Sequence, residues 1–141
     1  MTPTLLNILF VAASLRYGIP SNLLNSLCFI ESKHDIHAIH KDDGKSNSIG
    51  VCQVKLKTAK WLGFRGDEKQ LMDPETNIHY SAKYLKYQLS RYQNNLSKAI
   101  TAYNKGNAKG LTSSKYSNKV LLQWRKTNGR KCDTNSCEYR K

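Results

Sequence analysis

The sequence lacks any apolar run that approaches the ~20 residues a helix needs to cross a bilayer. It also lacks a positively charged start, which a secretory signal peptide would carry. Residues 1–18 are rich in apolar side chains, but the apolar positions continue with helical spacing into Arg16 and Tyr17. We therefore interpret this stretch as the first helix of the domain and expect no export leader, so the protein would be released by another route unless a leader had been removed.

Acidic residues are scarce, with 10 Asp and Glu against 23 Lys and Arg and a formal net charge of +13. Such a balance attracts polyanions, which include nucleic acid, acidic membranes and anionic cell-wall polymers, or it serves solubility alone. Nucleic-acid recognition would require a basic helix with readable spacing or a zinc motif. The segment "QWRKTNGRK" is basic but short and unpatterned, so no specific nucleic-acid partner is expected.

Convincing strand alternation, internal repeats and low-complexity segments are also missing, and 141 residues allow one domain with one core. Helical spacing predicts a mainly α fold of about six helices, with a short hairpin within residues 39–54 as the one candidate strand pairing. Pro20 or Ser21 would start the second helix, and Asp73 with Pro74 would start the clearest one. The predicted helical segments are 1–18, 22–32, 55–64, 72–93, 95–106 and 113–126.

The four cysteines fall into two pairs. Cys132 and Cys137 lie in a short polar tail, where we predict a small disulfide loop that would indicate an oxidising compartment. Cys28 and Cys52 lie in apolar contexts, and we interpret them as two buried thiols that act as small hydrophobic side chains. The predicted domain covers residues 1–128, followed by a basic tail at 129–141.

Glu31 is the feature of the second helix that points to chemistry. Leu23, Leu24, Leu27 and Cys28 share its helical face, so this carboxylate is the last member of an apolar face. Burial raises the pKa of a carboxyl group and makes it a proton donor near neutral pH. The alternative is a surface glutamate at a helix C-terminus, where the helix dipole disfavours negative charge.

Short motifs then follow in a fixed order: "ES" at 31–32, "SIGVCQ" at 48–53, "TAKWLG" at 58–63, "LMDPETNI" at 71–78, "YL" at 84–85 and "AYNKG" at 102–106. Together with "SKYSNKVL" they resemble the lysozyme-like domain of soluble lytic transglycosylases, including small secretion-associated and bacteriophage members. The resemblance covers about residues 5–125. It implies an α+β lysozyme-like fold, with helices around a central catalytic helix and an open substrate groove.

The resemblance implies an enzyme that cleaves the β-1,4 bond between N-acetylmuramic acid and N-acetylglucosamine in peptidoglycan. Glu31 would protonate the leaving oxygen and then, once ionised, accept the proton of the sugar's own C6 hydroxyl, so that a 1,6-anhydro ring forms. The N-acetyl group would stabilise the cationic sugar. No cofactor and no metal are implied.

The resemblance also assigns binding residues in the cleft. Gly50 would let the backbone approach a sugar, Gln53 would hydrogen-bond in the cleft, and the Tyr103 hydroxyl would reach the acid or the substrate. Asn104 would hold local backbone, and Ser48 would contact an acetamido group. Secondary candidates are Ser32, Asp43 and Ser46. The structural alternatives are that Gly50 is an ordinary turn glycine, Gln53 a polar surface residue and Tyr103 a core residue.

A second carboxylate is harder to find, although most glycosidases use two. Asp35, Asp42 and Asp43 are the acids closest to Glu31 in sequence. Goose-type lysozymes carry an aspartate two residues after the motif glutamine, and Lys55 occupies that position here. This departure favours the transglycosylase mechanism over a hydrolytic lysozyme, in which Asp42 or Asp43 would direct water.

His34, His37 and His40 repeat with a spacing that resembles a metal-binding pattern. They lie mostly beyond the predicted helix, and zinc requires convergent ligands of defined geometry. We interpret the segment as a solvated loop that contacts peptide stems, without a metal.

A binding module and a nucleic-acid-binding protein are the alternatives to catalysis at the cell wall. A binding module could keep the groove and lose activity, but the joint presence of Glu31, Gln53 and Tyr103 speaks against it. The expected partners of the enzyme are peptidoglycan strands and an anionic envelope surface, approached as a monomer in the periplasm or cell wall. A bacteriophage endolysin is the favoured setting, and wall remodelling in a secretion apparatus is the competing one.

Overall fold

The computed structural model describes residues 1–41 and 46–129, which form seven α-helices and a small antiparallel sheet. The helices are α1 Pro3–Tyr17, α2 Leu23–Ser32, α3 Leu56–Trp61, α4 Glu68–Leu71, α5 Pro74–Arg91, α6 Leu96–Lys105 and α7 Lys115–Gly129. The strands are β1 Ile39–His40, β2 Ser48–Ile49 and β3 Val54–Lys55. The predicted mainly α fold with a small β element is confirmed. Asp42, Asp43, Cys132 and Cys137 lie outside the described residues.

Helix α2 lies at the centre of the core, as predicted for the helix that carries Glu31. Leu23, Leu24 and Leu27 are fully buried along its length. It packs mainly against α7, while α5 packs against both α1 and α6. Apolar burial contributes about 25 cal/mol per Å². The buried leucines therefore stabilise the position of α2 in the fold, and with it the position of Glu31 near its end.

The buried face of α1 is centred on Leu6 and Phe10, and Leu9 packs against the same core. Leu6, Phe10 and Ser14 face the core at a spacing of one helical turn, whereas the side chain of Leu5 is 52% exposed. Almost every side of this helix carries apolar residues, so several of them stay exposed to solvent. None of the described helices is both long and apolar enough to span a membrane.

The helix ends confirm some capping predictions and correct one. Asp73 accepts a hydrogen bond from the Thr76 backbone N–H at 3.0 Å, and Gly106 ends α6, both as predicted. Helix α2, however, begins at Leu23 and not at Pro20 or Ser21 as predicted. The residue before it, Asn22, adopts a positive φ of 68° and makes no side-chain capping bond. The Asn22 amide instead donates to the Asn128 side chain at 3.0 Å, which ties the start of α2 to α7.

The hairpin predicted within residues 39–54 is confirmed and extends to a third strand. Ile39 pairs with Ile49 in β1–β2, and Ile49 pairs with Val54 in β2–β3. Helix α4 was not predicted because it has only one turn, although it begins with a capping box. The side chain of Asp67 accepts from the Gln70 N–H, and the side chain of Gln70 accepts from the Asp67 N–H, each at 2.9 Å.

Candidate active site

Glu31 lies in the last turn of α2, where the helix meets the loop that leads to β1. The helix ends at Ser32 because Lys33 adopts a left-handed φ of 56°, with its N–H donating to the Phe29 carbonyl at 2.7 Å. The hydroxyl of Tyr116, from the first turn of α7, donates to Glu31 Oε2 at 2.5 Å. The α2–α7 packing therefore brings an acid and a tyrosine together from distant parts of the chain.

The environment of Glu31 suits a proton donor. Burial raises the pKa of its carboxyl group from 4.5 to about 7, and the hydrogen bond from Tyr116 opposes part of that rise. Burial acts by penalising the charged carboxylate. A pKa of about 7 leaves the group in both protonation states near neutral pH, which a residue that first donates and then accepts a proton requires.

Tyr103 lies near enough to this acid to feel its charge, and two contacts hold its hydroxyl in place. Its hydroxyl lies 2.7 Å from Ser81 Oγ and donates to the Cys52 carbonyl at 3.4 Å. Burial raises the pKa of Tyr103, and the negative charge of Glu31 raises it further. The phenol therefore remains neutral beside Glu31, at the boundary between α5, α6 and the turn after β2.

The turn from Gly50 to Gln53 is fixed to the core by Asn77 of α5. The Asn77 Oδ1 accepts from the Cys52 N–H at 2.9 Å, and its Nδ2 donates to the carbonyls of Ile49 and Leu71 at 2.8 and 2.9 Å. Asn77 is fully buried. Its amide thus fixes this turn against α5.

Cys28 and Cys52 form a disulfide, which corrects the prediction of two free thiols. Their Cα atoms lie 4.4 Å apart, and both residues are fully buried. The apolar context that suggested small hydrophobic side chains fits a buried disulfide equally well, and sequence spacing cannot distinguish them. The bond joins α2, one turn before Glu31, to the Gly50–Gln53 turn.

Gln53 and Ser32 both hold the loops around the acid. The Gln53 Nε2 donates to the carbonyls of Ala38 and Gly50 at 3.2 and 3.0 Å. The Ser32 hydroxyl donates to the Val51 carbonyl at 2.6 Å. The Gln53 amide nitrogen is thus used within the loop, so any contact of this residue with a sugar would come from its carbonyl oxygen.

The remaining predicted site residues are Ser46, Ser48, Asn104 and Asp43. Ser48 is half-buried in β2, opposite His40 and Lys55, and Ser46 is half-buried just before it. Asn104 is exposed and lines a groove together with Tyr103. Asp43 lies outside the described residues, so its role stays a prediction.

Two of the three predicted loop histidines are exposed, and the third contributes to packing. The ring of His34 lies against Phe10 and Phe29, with centroids 5.1 and 5.4 Å away, and its Nε2 lies 2.9 Å from the Asn25 carbonyl. His37 and His40 are exposed. Among residues 1–41 and 46–129, no three His, Cys, Asp or Glu side chains converge as metal ligands would.

The other described carboxylates near Glu31 or along the helices serve local structure. Asp35 accepts from the His37 N–H at 2.9 Å, while Asp67 and Asp73 cap α4 and α5. Glu68 and Glu75 are exposed in the first turns of those helices. Within the described ranges, Glu31 is thus the carboxyl group whose surroundings suit acid catalysis.

Comparison with known proteins agrees with this arrangement. The family model described as "Transglycosylase SLT domain" matches residues 8–122. The chain belongs to the transglycosylase SLT domain family. It is 32% identical over 108 residues to the membrane-bound lytic murein transglycosylase C of Photorhabdus laumondii, covering 67% of this chain and 29% of that protein. It is 31% identical over 93 residues to Protein IpgF of Shigella flexneri, covering 64% of this chain and 60% of that protein.

The chain therefore spans less than two thirds of the length of these relatives. The IpgF protein of Shigella sonnei matches to the same extent as that of Shigella flexneri. No solved structure matches the chain significantly.

Two residues of this SLT domain were missed as members of the site. Tyr116 lies in "SKYSNKVL", which was recognised as a helix but not as a source of a contact to Glu31. Asn77 lies in "LMDPETNI", which was recognised as a motif without a role for its asparagine. A buried polar residue on a predicted apolar helix face is the signal that could have indicated Asn77, because such residues need hydrogen-bond partners.

Tyr116→Phe in this SLT domain is expected to move the alkaline limb of the pH–rate profile to higher pH. The hydrogen bond lowers the pKa of Glu31, so its loss raises that pKa and keeps the acid protonated at higher pH. We also expect a fall in kcat of about tenfold, because the carboxyl group loses a positioning contact. The pH profile of wall lysis measures both effects. Tyr17→Phe, which removes a hydroxyl contact to His79, is the matched control; an unshifted Tyr116→Phe profile would contradict the assignment.

Gly50→Ala is expected to destabilise the domain by more than about 2 kcal/mol. Gly50 has a φ of 79°, and an added Cβ would lie 2.5 Å from Asn77 Nδ2, a side chain that three hydrogen bonds hold in place. Gly110→Ala is the control, because Gly110 has a φ of 76° with open space around it. Gly110→Ala should lower the free energy of unfolding only by the ~1–2 kcal/mol that left-handed backbone strain costs. Equal losses in urea unfolding would show that the contact with Asn77 does not matter.

Proposed function

We propose that the protein is a lytic transglycosylase that cleaves the bond between N-acetylmuramic acid and N-acetylglucosamine in peptidoglycan. The observation that carries the proposal is one buried glutamate with a pKa raised to about 7, bonded to Tyr116, in a domain of the SLT family. The Photorhabdus relative is named a lytic murein transglycosylase, which supports the same activity here.

The proposed reaction needs one protein group that both donates and accepts a proton. Protonated Glu31 donates to the glycosidic oxygen, and the bond from the muramic acid C1 to that oxygen breaks. The N-acetyl group of the same sugar stabilises the positive charge at C1. Ionised Glu31 then takes the proton from the C6 hydroxyl, whose oxygen bonds to C1. The products are a 1,6-anhydro end and a free N-acetylglucosamine end, and Glu31 is again protonated.

Tyr103 and the Gly50–Gln53 turn would surround the sugar next to Glu31. Tyr103 stays neutral, so its hydroxyl region adds no charge that would oppose ionisation of Glu31 during the second step. Gly50 is buried, and its lack of a side chain makes room for the Asn77 amide, which holds the turn in the shape that would face the sugar. Lys55 occupies the position at which a goose-type lysozyme has a carboxylate, which supports a route without water.

Mass spectrometry of the fragments released from purified peptidoglycan tests the proposal. Transglycosylation should give fragments lighter by one water, about 18 Da, than those from hydrolysis, since the C6 hydroxyl replaces water as nucleophile. Fragments with the full hydrolytic mass would instead identify a lysozyme and direct attention to Asp42 and Asp43. Intact peptidoglycan after prolonged incubation would contradict both.

We propose action in the periplasm or cell wall. The Cys28–Cys52 disulfide supports an oxidising compartment, and the net charge of +13 supports attraction to an anionic envelope. Lysis of a host cell, as by a bacteriophage endolysin, is the favoured setting, with wall remodelling during secretion as the competitor. Expression in a bacterium, with and without a membrane-permeabilising protein, tests it. Lysis only with that protein is expected, and survival in both cultures would contradict the endolysin role.

A further inference from the structure

A groove leads away from the active site along α5. One cavity of about 330 Å³ lies between Tyr103, Lys105 and the start of α3. A neighbouring cavity of about 430 Å³ shares Lys57, Thr58, Tyr84 and Gly106 with the first. The two cavities therefore form a continuous surface, and its lining includes Tyr103, whose pKa the charge of Glu31 raises. From Ser81 to Arg91, α5 rises about 15 Å along it.

The far part of this surface, which we name the aromatic groove, is formed by Lys57, Trp61, Tyr84, Tyr87, Gln88 and Arg91. Trp61 is 63% exposed and Tyr87 is 39% exposed, with their ring centroids 4.9 Å apart in an edge-to-face arrangement. Tyr84 stacks on Tyr87. Large exposed aromatic surfaces are a feature of binding sites, and the apolar C–H face of a sugar ring can lie flat against such a ring.

Gln88 is a buried residue that lines the aromatic groove. The residue is fully buried, yet its Nε2 makes no hydrogen bond of normal geometry within the described part of the chain. Its Oε1 accepts from Arg91 at 3.4 Å, and the side chain approaches the Tyr84 hydroxyl closely enough to oppose the rise in its pKa that burial causes. The Gln88 side chain therefore holds Tyr84 and Arg91 in place beside the aromatic groove.

The groove is also positively charged. Lys57 and Arg91 line the aromatic groove, and Lys105 lines the cavity that connects it to Tyr103. No Asp or Glu of the described ranges lines either cavity. The ligand that fits combines sugar rings with acceptor oxygens and carboxylates.

We infer that the aromatic groove is a remote subsite for the same peptidoglycan strand, in which a sugar ring lies on Trp61 and a peptide-stem carboxylate pairs with Lys57 and Arg91. This inference rests on the proposed function, because it extends the substrate from the catalytic centre along α5. The groove would give the enzyme a preference for long, peptide-bearing strands over short fragments.

Trp61→Ala tests the sugar contact. We expect the KM for long soluble glycan strands to rise about tenfold with little change in kcat, while a tetrasaccharide that fills only the catalytic centre is cleaved as by the parent protein. Leu15→Ala, at a side chain that is 79% exposed on α1, is the control for loss of exposed apolar surface. An unchanged KM for long strands, or an equal loss on both substrates, would overturn the subsite.

Lys57→Glu tests the contact to the peptide stem. Removal of the stems with an amidase should weaken binding of long strands to the parent protein several-fold. In the Lys57→Glu variant, stem removal should improve binding or leave it unchanged, because the reversed charge repels the stem carboxylates. The same loss on stem removal in both proteins would overturn the electrostatic part of the inference.

A binding measurement separates this inference from the proposed function. The chain has two tryptophans, so a Trp124→Phe variant reports on Trp61 alone, and Glu31→Gln in the same protein prevents turnover. Long strands should shift and quench its fluorescence. If the unmodified protein fails to cleave peptidoglycan but this signal responds, the proposed function fails and the subsite remains. If cleavage occurs without any Trp61 response, the subsite fails.

Discussion

Glu31→Gln is expected to lower kcat for the release of soluble glycan from peptidoglycan by about 10³-fold or more. General acid–base catalysis typically contributes about 10²–10⁴-fold, and here one carboxyl group would serve both proton transfers. The glutamine is similar in size and can still accept the hydrogen bond from Tyr116, so the site should keep its shape. Dye release from labelled peptidoglycan measures the loss.

The same substitution is expected to stabilise the fold above neutral pH. The folded-state pKa of Glu31 is about 7 against an ordinary 4.5, so between these values the native state binds more protons than the unfolded chain. The stability of the parent protein therefore falls as pH rises through this interval, by roughly 3 kcal/mol at about 1.4 kcal/mol per pH unit. Glu31→Gln lacks this loss and should be more stable than the parent by up to that amount above pH 7.

Glu68→Gln is the matched control for both effects, because Glu68 is exposed in the first turn of α4. It should keep normal activity and the parent's dependence of stability on pH. Urea unfolding at several pH values between 4 and 8 supplies the comparison. Near-normal lysis by Glu31→Gln would remove Glu31 from its catalytic role, and an unchanged pH dependence of stability would show that its carboxyl group is not buried as described.

The position of Glu31 was predictable because it depends on local pattern. An apolar helical face that ends in one carboxylate forecasts a buried acid, and burial alone accounts for the direction of its pKa. The start of α5 at Pro74 and the end of α6 before Gly106 were predictable for the same reason, since helix caps are local. Chemistry that depends on one helix and its ends can thus be inferred from sequence.

Contacts between distant segments were not predictable. The Tyr116 hydroxyl meets Glu31 across 85 residues, and Asn77 reaches the Gly50–Gln53 turn from α5. A single sequence shows that these residues are polar but not which elements face each other. The disulfide was misread for the same reason: two cysteines in apolar segments are equally compatible with free thiols or a bond until the tertiary structure brings their Cα atoms together.

Loss of the Cys28–Cys52 disulfide is expected to destabilise the domain by about 3 kcal/mol. The bond closes a loop with a sequence separation of 24, and the chain-entropy model gives about 3–4 kcal/mol for a loop of that length. Because the bond joins α2 near Glu31 to the Gly50–Gln53 turn, kcat should also fall. The measurement is the urea midpoint of the double variant Cys28→Ala with Cys52→Ala, together with its lysis rate.

Reductant provides the internal control for this prediction. Both sulfurs are buried, so reduction should act mainly through the unfolded chain and lower the urea midpoint of the parent protein. The double alanine variant lacks the bond and should lose less stability than the parent when reductant is added. Equal midpoints for the parent and the variant under oxidising conditions would show that the bond contributes nothing. Unchanged lysis by a folded double variant would show that α2 and the turn hold the active site together without it.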